Sequence, residues 1–238
     1  MPILQRDDLV ERYRVTDRAA PWLRMNFISS LDGAATQDGV SAGLGNADDK
    51  LVFDTLRLLT DVILVGAGTV RAEGYGGVRA EPADAAWRAE RGLAAQPALA
   101  IVSARLEISP SHPFFTDAVV RPIVVTHAGS PVDRRAALAE VADVLVCGTD
   151  AVDLRLMRAE LAARGLAQVL CEGGPHLFGA LIEAGCVDEL CLTLSPMLEG
   201  GPAGRIARGG AQTTRRMSLT HALPAGDMLF LRYTRAPA

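Results

Sequence analysis

Short apolar runs recur along this chain, and segments of helical character lie between most of them. The runs fall at 22–29 (WLRMNFIS), 62–65, 98–102, 122–126, 144–147, 168–171, 187–194 and 228–233. Their length and apolar density predict strands rather than helices. Helices between successive strands force crossover connections, so most of the strands must run parallel in one sheet with helices on its faces. The last two runs have no helix between them and predict an antiparallel C-terminal edge. The fold class is therefore α/β, with a mostly parallel central sheet flanked by helices.

The helices announce their ends. Asn46 stands before ADDKLVFDTLRLLT, where Leu51, Val52, Leu56, Leu58 and Leu59 approximate one helical stripe and Asp48 and Asp49 fill the first turn. Asp150 is the expected cap of AVDLRLMRAELAAR, which Gly165 ends. A further helix starts at Pro175 and stops at Gly185, the proline-in, glycine-out asymmetry. Residues 74–96 predict a loop with a short helix around 83–95, and residues 205–216, rich in Gly and Arg, an exposed loop. No linker divides the chain. Residues 1–20 are expected to form an N-terminal extension and 21–238 a single domain.

Composition narrows the function. The chain has 238 residues, is 49% hydrophobic and 22% charged, and carries a net charge of −4, which is no electrostatic footprint for nucleic acid. No apolar run reaches the ~18 residues of a membrane span, and the N-terminus lacks the apolar segment of a signal peptide, so a cytoplasmic location is expected. Lys50 is the only lysine, so a Schiff-base mechanism would have to use a residue beside Asp48 and Asp49. The cysteines Cys147, Cys171, Cys186 and Cys191 form no C-x-x-C pair and the four histidines are scattered, so no metal site is expected.

Two strand ends carry glycine turns. In VILVGAGTVRAEGYG, Gly66 and Gly68 let backbone N–H groups approach an anion, with Thr69 opening the next helical segment. Arg71 breaks the dinucleotide pattern G-x-G-x-x-G, and no Lys-Ser/Thr follows as in a P-loop, so a tight structural turn competes with this reading. In QVLCEGGPHLFGALIEAG, Glu172 ends a strand, Gly173 and Gly174 remove side chains where a ligand could approach, and Pro175 begins a helix. Open α/β sheets place their sites at such strand ends. Two cradles suit one long ligand with several phosphates, such as a dinucleotide. A carboxylate beside an anion cradle suits a separate, nitrogen-rich ligand better.

Four stretches together resemble one family. They are WLRMNFISSLDGAAT, LRLLTDVILVGAGTVRAEGYG, AIVSARLEIS and VLCEGGPHLFGALIEAGCVDELCLTLSPMLEGG. Their order and spacing are similar to those of the pyrimidine reductases of riboflavin biosynthesis, which share the dihydrofolate reductase fold. The resemblance covers roughly residues 21–235. It implies NADPH as cofactor, with Thr69 and Glu73 along it, Ser103 near its adenosine end, and Gly174, Pro175, His176, Leu177 and Phe178 around its pyrophosphate. Arg105 is a candidate for the 2′-phosphate, against the plainer reading of a solvent-exposed arginine. For the substrate it implies Asp32, Ser41, Arg57 and Glu172: Arg57 on the ribose 5-phosphate, Glu172 accepting from the pyrimidine amino groups, and Asp32 shaping the loop over the nicotinamide. Many bifunctional members have lysine six residues before that aspartate. Here the position is Asn26, a candidate substrate hydrogen-bonder. The zinc deaminase signature of bifunctional members is absent, which implies a stand-alone reductase. Family members commonly pair as homodimers.

The implied reaction is hydride transfer from NADPH to C1′ of a ribosylaminopyrimidine 5′-phosphate, giving the ribityl product. Glu172 or a water would relay the proton. Two alternatives stand beside it: reduction of a dihydropterin such as dihydrofolate, with Asp48, Asp49 or Glu172 at the pterin N–C–N edge, and a non-catalytic NADPH-binding protein.

Overall fold

The structure, a computed structural model, describes residues 3–236. Nine strands form one sheet: β1 (Trp22–Ser29), β2 (Val62–Gly66), β3 (Ala98–Val102), β4 (Ile123–Thr126), β5 (Asp143–Val146), β6 (Gln168–Cys171), β7 (Glu189–Leu194), β8 (Met217–Ala225) and β9 (Met228–Arg235). Their order is β5-β4-β3-β2-β6-β1-β7-β9-β8. The seven strands from β5 to β7 are parallel to their neighbours, whereas β9 runs antiparallel to β7 and β8. This is the expected fold class. The central strands explain themselves: Val62, Ile63, Leu64 and Val65 are all fully buried, as a parallel strand covered on both faces requires.

Among the described residues, eight α-helices accompany the sheet: α1 (Arg6–Tyr13), α2 (Ala47–Leu59), α3 (Ala67–Ala72), α4 (Pro82–Glu90), α5 (Pro113–Thr116), α6 (Val132–Ala139), α7 (Leu154–Ala163) and α8 (Pro175–Glu183). Asn46 caps α2 as expected, its side-chain oxygen accepting from the N–H of Asp48 (2.9 Å) and Asp49 (3.0 Å). The cap of α7 is corrected. Asp153, not Asp150, accepts from the N–H of Arg155 (2.9 Å) and Leu156 (3.0 Å), because the chain still turns through Gly148, at φ +99°, before the helix begins.

Strand β8 carries no clear signal in sequence. It is an edge strand, mostly exposed and containing Pro224, so no buried face imposes an alternating pattern. Helices α1 and α6 are likewise short, with few buried residues to mark them. Yet α1 is anchored: Leu9 and Tyr13 share a core with Val52 and Leu56 of α2 and Phe230 of β9. Beneath it, Glu189 is fully buried between Arg24 (2.7 Å) and Arg232 (2.9 Å). These arginines also donate to the backbone carbonyls of Tyr13 and Arg12, tying α1 to the sheet. Burial opposes the Glu189 charge, but the two guanidinium groups prevail and hold its carboxyl down to about 2.

Candidate active site

The two glycine turns lie on neighbouring strands, β2 and β6, and pack directly on each other. The Gly66 N–H donates to the Gly173 carbonyl at 2.8 Å. The peptide between Gly173 and Gly174 is cis. A Cβ at Gly174 would come within 2.4 Å of Thr69 Oγ1, so the close approach permits only glycine. A Cβ at Gly68 would meet nothing within 4 Å and leaves the backbone of α3 open. These turns line a cavity of about 340 Å³ together with Thr69, Glu73, Pro175, His176, Leu177 and Arg208. It shares Thr69, Glu73, Gly174 and Pro175 with a larger cavity of about 640 Å³. The two are adjoining compartments of one cleft at the carboxyl ends of β1, β2 and β6, where a doubly wound sheet places its ligands.

The narrow compartment fits a dinucleotide's diphosphate. It offers the open backbone at Gly68, a helix start at Pro175 whose free N–H groups favour anions, and the Arg208 guanidinium. Gly66, Gly68, Thr69, Glu73, Gly174, Pro175, His176 and Leu177 all line it, and Gly173 lines the larger one. Ser103, Arg105 and Phe178 line neither compartment. Ser103 is buried and its hydroxyl accepts from the Leu106 N–H at 3.0 Å, closing a turn. Arg105 is exposed beside Glu107. Phe178 points into the core and stacks on Phe27, centroids 5.0 Å apart. Arg208 escaped the sequence reading because it sits in an irregular, Gly- and Arg-rich stretch. That loop is held on α8 by the Arg208 N–H donating to the Pro175 carbonyl at 2.9 Å.

The wide compartment is lined by Asn26, Ser41 and Glu172, and by Phe27, Phe53, Tyr75 and Asp49. Glu172 is held by three donors: Arg57 Nε and Nη2, each at 2.7 Å, and the Tyr75 hydroxyl. Arg57 also donates to Tyr75 Oη at 2.9 Å and stacks on Phe53, 4.2 Å from the ring centroid. A carboxylate has about four acceptor sites, so Glu172 keeps roughly one for a ligand. Arg57 lines neither compartment; its guanidinium is committed to Glu172, and Asp54 and Asp61 pair instead with Lys50 and Arg18. Burial opposes the Arg57 charge, but Glu172 outweighs it and its pKa rises. Burial, and then the Glu172 charge, raise the Tyr75 hydroxyl well above its usual range. Tyr75 was invisible in sequence because it lies in a glycine-rich loop with no periodicity.

Ser41 and Glu73 clasp one another, the Ser41 N–H donating to Glu73 Oε1 at 3.2 Å, which closes the 37–45 loop over the junction of the compartments. Asp32 is exposed and lies outside both. The Ser30 hydroxyl and the N–H groups of Gly200 and Glu199 donate to its carboxylate and hold it down to about 2. It pins two loops together.

Asp49 is the residue whose role the sequence concealed. Among first-turn acids, one looks like another. Here Asp48 faces away, accepting from the N–H of Ile3 and Leu4, whereas Asp49 lines the wide compartment. Burial raises its pKa against a lowering hydrogen bond from Thr193. Among the described residues no group of His, Cys, Asp and Glu could hold a metal ion, and no helix is long and apolar enough to cross a membrane.

Fold and cleft together define an α/β protein whose strand ends join a phosphate-sized glycine cradle to an apolar, carboxylate-bearing pocket. The chain belongs to the RibD C-terminal domain family, whose model matches residues 21–231. A 2,5-diamino-6-ribosylamino-4(3H)-pyrimidinone 5′-phosphate reductase of Methanothermobacter thermautotrophicus is 29% identical over 220 residues, 90% of this chain and 98% of that one. The riboflavin biosynthesis protein RibD of Bacillus amyloliquefaciens is 31% identical over 76% of this chain, which spans about half of it, 47%. A pyrimidine reductase-like protein of Corynebacterium diphtheriae superposes with a TM-score of 0.86 at 27% identity, covering 99% of this chain and all of the other.

Proposed function

We propose that this chain is an NADPH-dependent reductase of riboflavin biosynthesis that converts a ribosylaminopyrimidine 5′-phosphate to its ribityl product. The observation that carries this reading is the joining of the glycine cradle to the wide compartment in one cleft. When bound, NADPH supplies the hydride, and the chain's contribution is to bind, orient and exclude water. Gly66, Gly68, Gly174 and the start of α8 hold the diphosphate, with Arg208 as counter-charge. Asn26, Ser41 and the remaining acceptor site of Glu172 fix the polar edges of the substrate. Arg57 and Tyr75 set the Glu172 carboxylate rather than meeting the substrate phosphate. Burial shifts the Asp49 carboxyl upward, which favours its protonated form more than a solvated aspartate's.

Asp49 also favours the second reading, reduction of a dihydropterin. A half-buried carboxylate with a threonine partner in an apolar pocket suits any ring with an N–C–N edge bearing hydrogens, and both ligand classes have one. The test follows NADPH absorbance with the diaminopyrimidinone substrate, its deaminated counterpart and dihydrofolate in parallel. Oxidation driven by a pyrimidine is expected. Oxidation driven by dihydrofolate alone would transfer the cleft to pterin chemistry, and none at all would remove the reductase reading.

The protein is further read as a homodimer. On β7, buried Glu189, Cys191 and Thr193 alternate with half-buried Leu190, Leu192 and Leu194. Their register partners Tyr233, Leu231 and Leu229 share that face. Leu192, Leu194, Leu229 and Leu231 pack into none of the three cores. A flat apolar sheet face of this kind is self-complementary across a two-fold axis.

A further inference from the structure

At the opposite end of α8 lies a cavity of about 1060 Å³, bounded by the start of β7, residues 213–217 and the end of β9. Five arginines line it, Arg155, Arg158, Arg215, Arg216 and Arg235, and among the described residues no carboxylate does. This concentration of charge stands in a chain whose net charge is −4.

Helix capping explains part of the arrangement. Arg155 Nε donates to the Ala184 carbonyl at 2.8 Å, Arg215 Nη2 to that of Glu183 at 3.4 Å, and Arg235 Nη2 to that of Gly185 at 2.6 Å. Asp188 explains a further part, pairing with Arg158 at 2.6 Å and Arg235 at 3.3 Å. The magnitudes leave a remainder. A helix C-terminus supplies about −0.5 charge and Asp188 one full negative charge, against five guanidinium groups. Among the described residues, Arg155, Arg215 and Arg216 have no carboxylate partner. Arg155 and Arg215 even flank the same glycine, their terminal nitrogens 3.7 and 3.4 Å from where a Gly185 Cβ would stand. Like charges brought that close, with donors left over, are stabilised by an anion between them.

The cavity floor is apolar, with Phe178, Ile182, Val187 and Leu190. We infer that this cavity is a second ligand site, separate from the catalytic cleft, that takes an organic phosphate. The guanidinium forks receive the phosphate oxygens and the floor receives its apolar body.

The test is calorimetric titration of the intact protein with phenyl phosphate, with phenol as the uncharged control, at low and high salt and with NADPH saturating the cleft. Phenyl phosphate is expected to bind in the presence of NADPH, more weakly as salt rises, and phenol not to bind measurably. R155Q/R215Q should weaken binding by about tenfold or more. Because that variant also disturbs the end of α8, R216Q is the second arm: Arg216 is exposed and among the described residues its side chain donates no hydrogen bond, so R216Q is expected to fold normally and to weaken binding several-fold. No binding to the wild type, competition by a single equivalent of NADPH, which fills only the cleft, or unchanged affinity in both variants overturns the inference. So does loss of the dimer in R155Q/R215Q with phosphate affinity intact, which would make the arginines subunit contacts.

Discussion

Arg57, Tyr75 and Glu172 show how a single residue's role depends on what surrounds it. With Arg57 and Tyr75 donating to one carboxylate, replacing Glu172 strands a largely buried guanidinium, whereas replacing Tyr75 removes its hydrogen bonds to Glu172 and from Arg57 but leaves that ion pair in place. E172Q is therefore expected to cost about 3 kcal/mol and Y75F about 1–2 kcal/mol, measured by urea unfolding. Both should raise KM, because Glu172 then loses its set orientation. Asp49 behaves oppositely. Its folded pKa lies above its unfolded value, so the folded state gains least, relative to the unfolded chain, where the group is ionised. The penalty is absent below the unfolded value near 3.9 and grows as pH rises through the folded value. D49N should accordingly stabilise the protein at neutral pH and have no such effect below about pH 4, while cutting kcat/KM. Equal loss of stability and activity at pH 7 would contradict this.

At the scale of elements, the cradle is one object made from two turns. The motif around Gly66 and the motif around Gly173 are each ambiguous in sequence, and their meaning comes from β2 lying beside β6. G174A places a Cβ 2.4 Å from Thr69 Oγ1 and should abolish detectable NADPH binding while lowering stability. T69A/G174A should recover much of the stability and little of the cofactor affinity, because the clash goes but the shape of the cradle does not return. Thermal unfolding and cofactor titration of the pair separate the two effects. Helix α8 was legible from its proline and glycine ends, and α2 from Asn46. The cap of α7 was not, since Asp150 and Asp153 both precede a helical stripe and only the path of the preceding turn selects between them.

For the whole molecule, the buried Arg24–Glu189–Arg232 group joins α1, β1, β7 and β9. Glu189 is depressed to about 2, so its contribution is present above its unfolded value of about 4.3. That contribution falls as pH drops from there toward 2. E189A should cost about 3–5 kcal/mol at pH 7 and flatten the acid limb of the stability profile between about pH 4.5 and 2. If the half-buried leucines of β7 and β9 form the subunit contact, L192R/L231R should sediment as a monomer with its circular dichroism unchanged. A dimer in that variant would move the interface elsewhere.

The sequence by itself determined the parallel part of the sheet. Strand and helix are set by local periodicity and by capping residues, so the order of elements, the parallel crossovers and both glycine turns could be read along the chain. It also marked the close packing of the two turns, because backbone approach demands glycine and the demand is written in the residue. Side-chain roles were decided only by tertiary structure. Arg57 meets Glu172, 115 residues away, Asp49 rather than Asp48 faces the cleft, and five arginines from three separate regions converge on one cavity. Charge acts through space and burial, and neither quantity exists until the chain has folded.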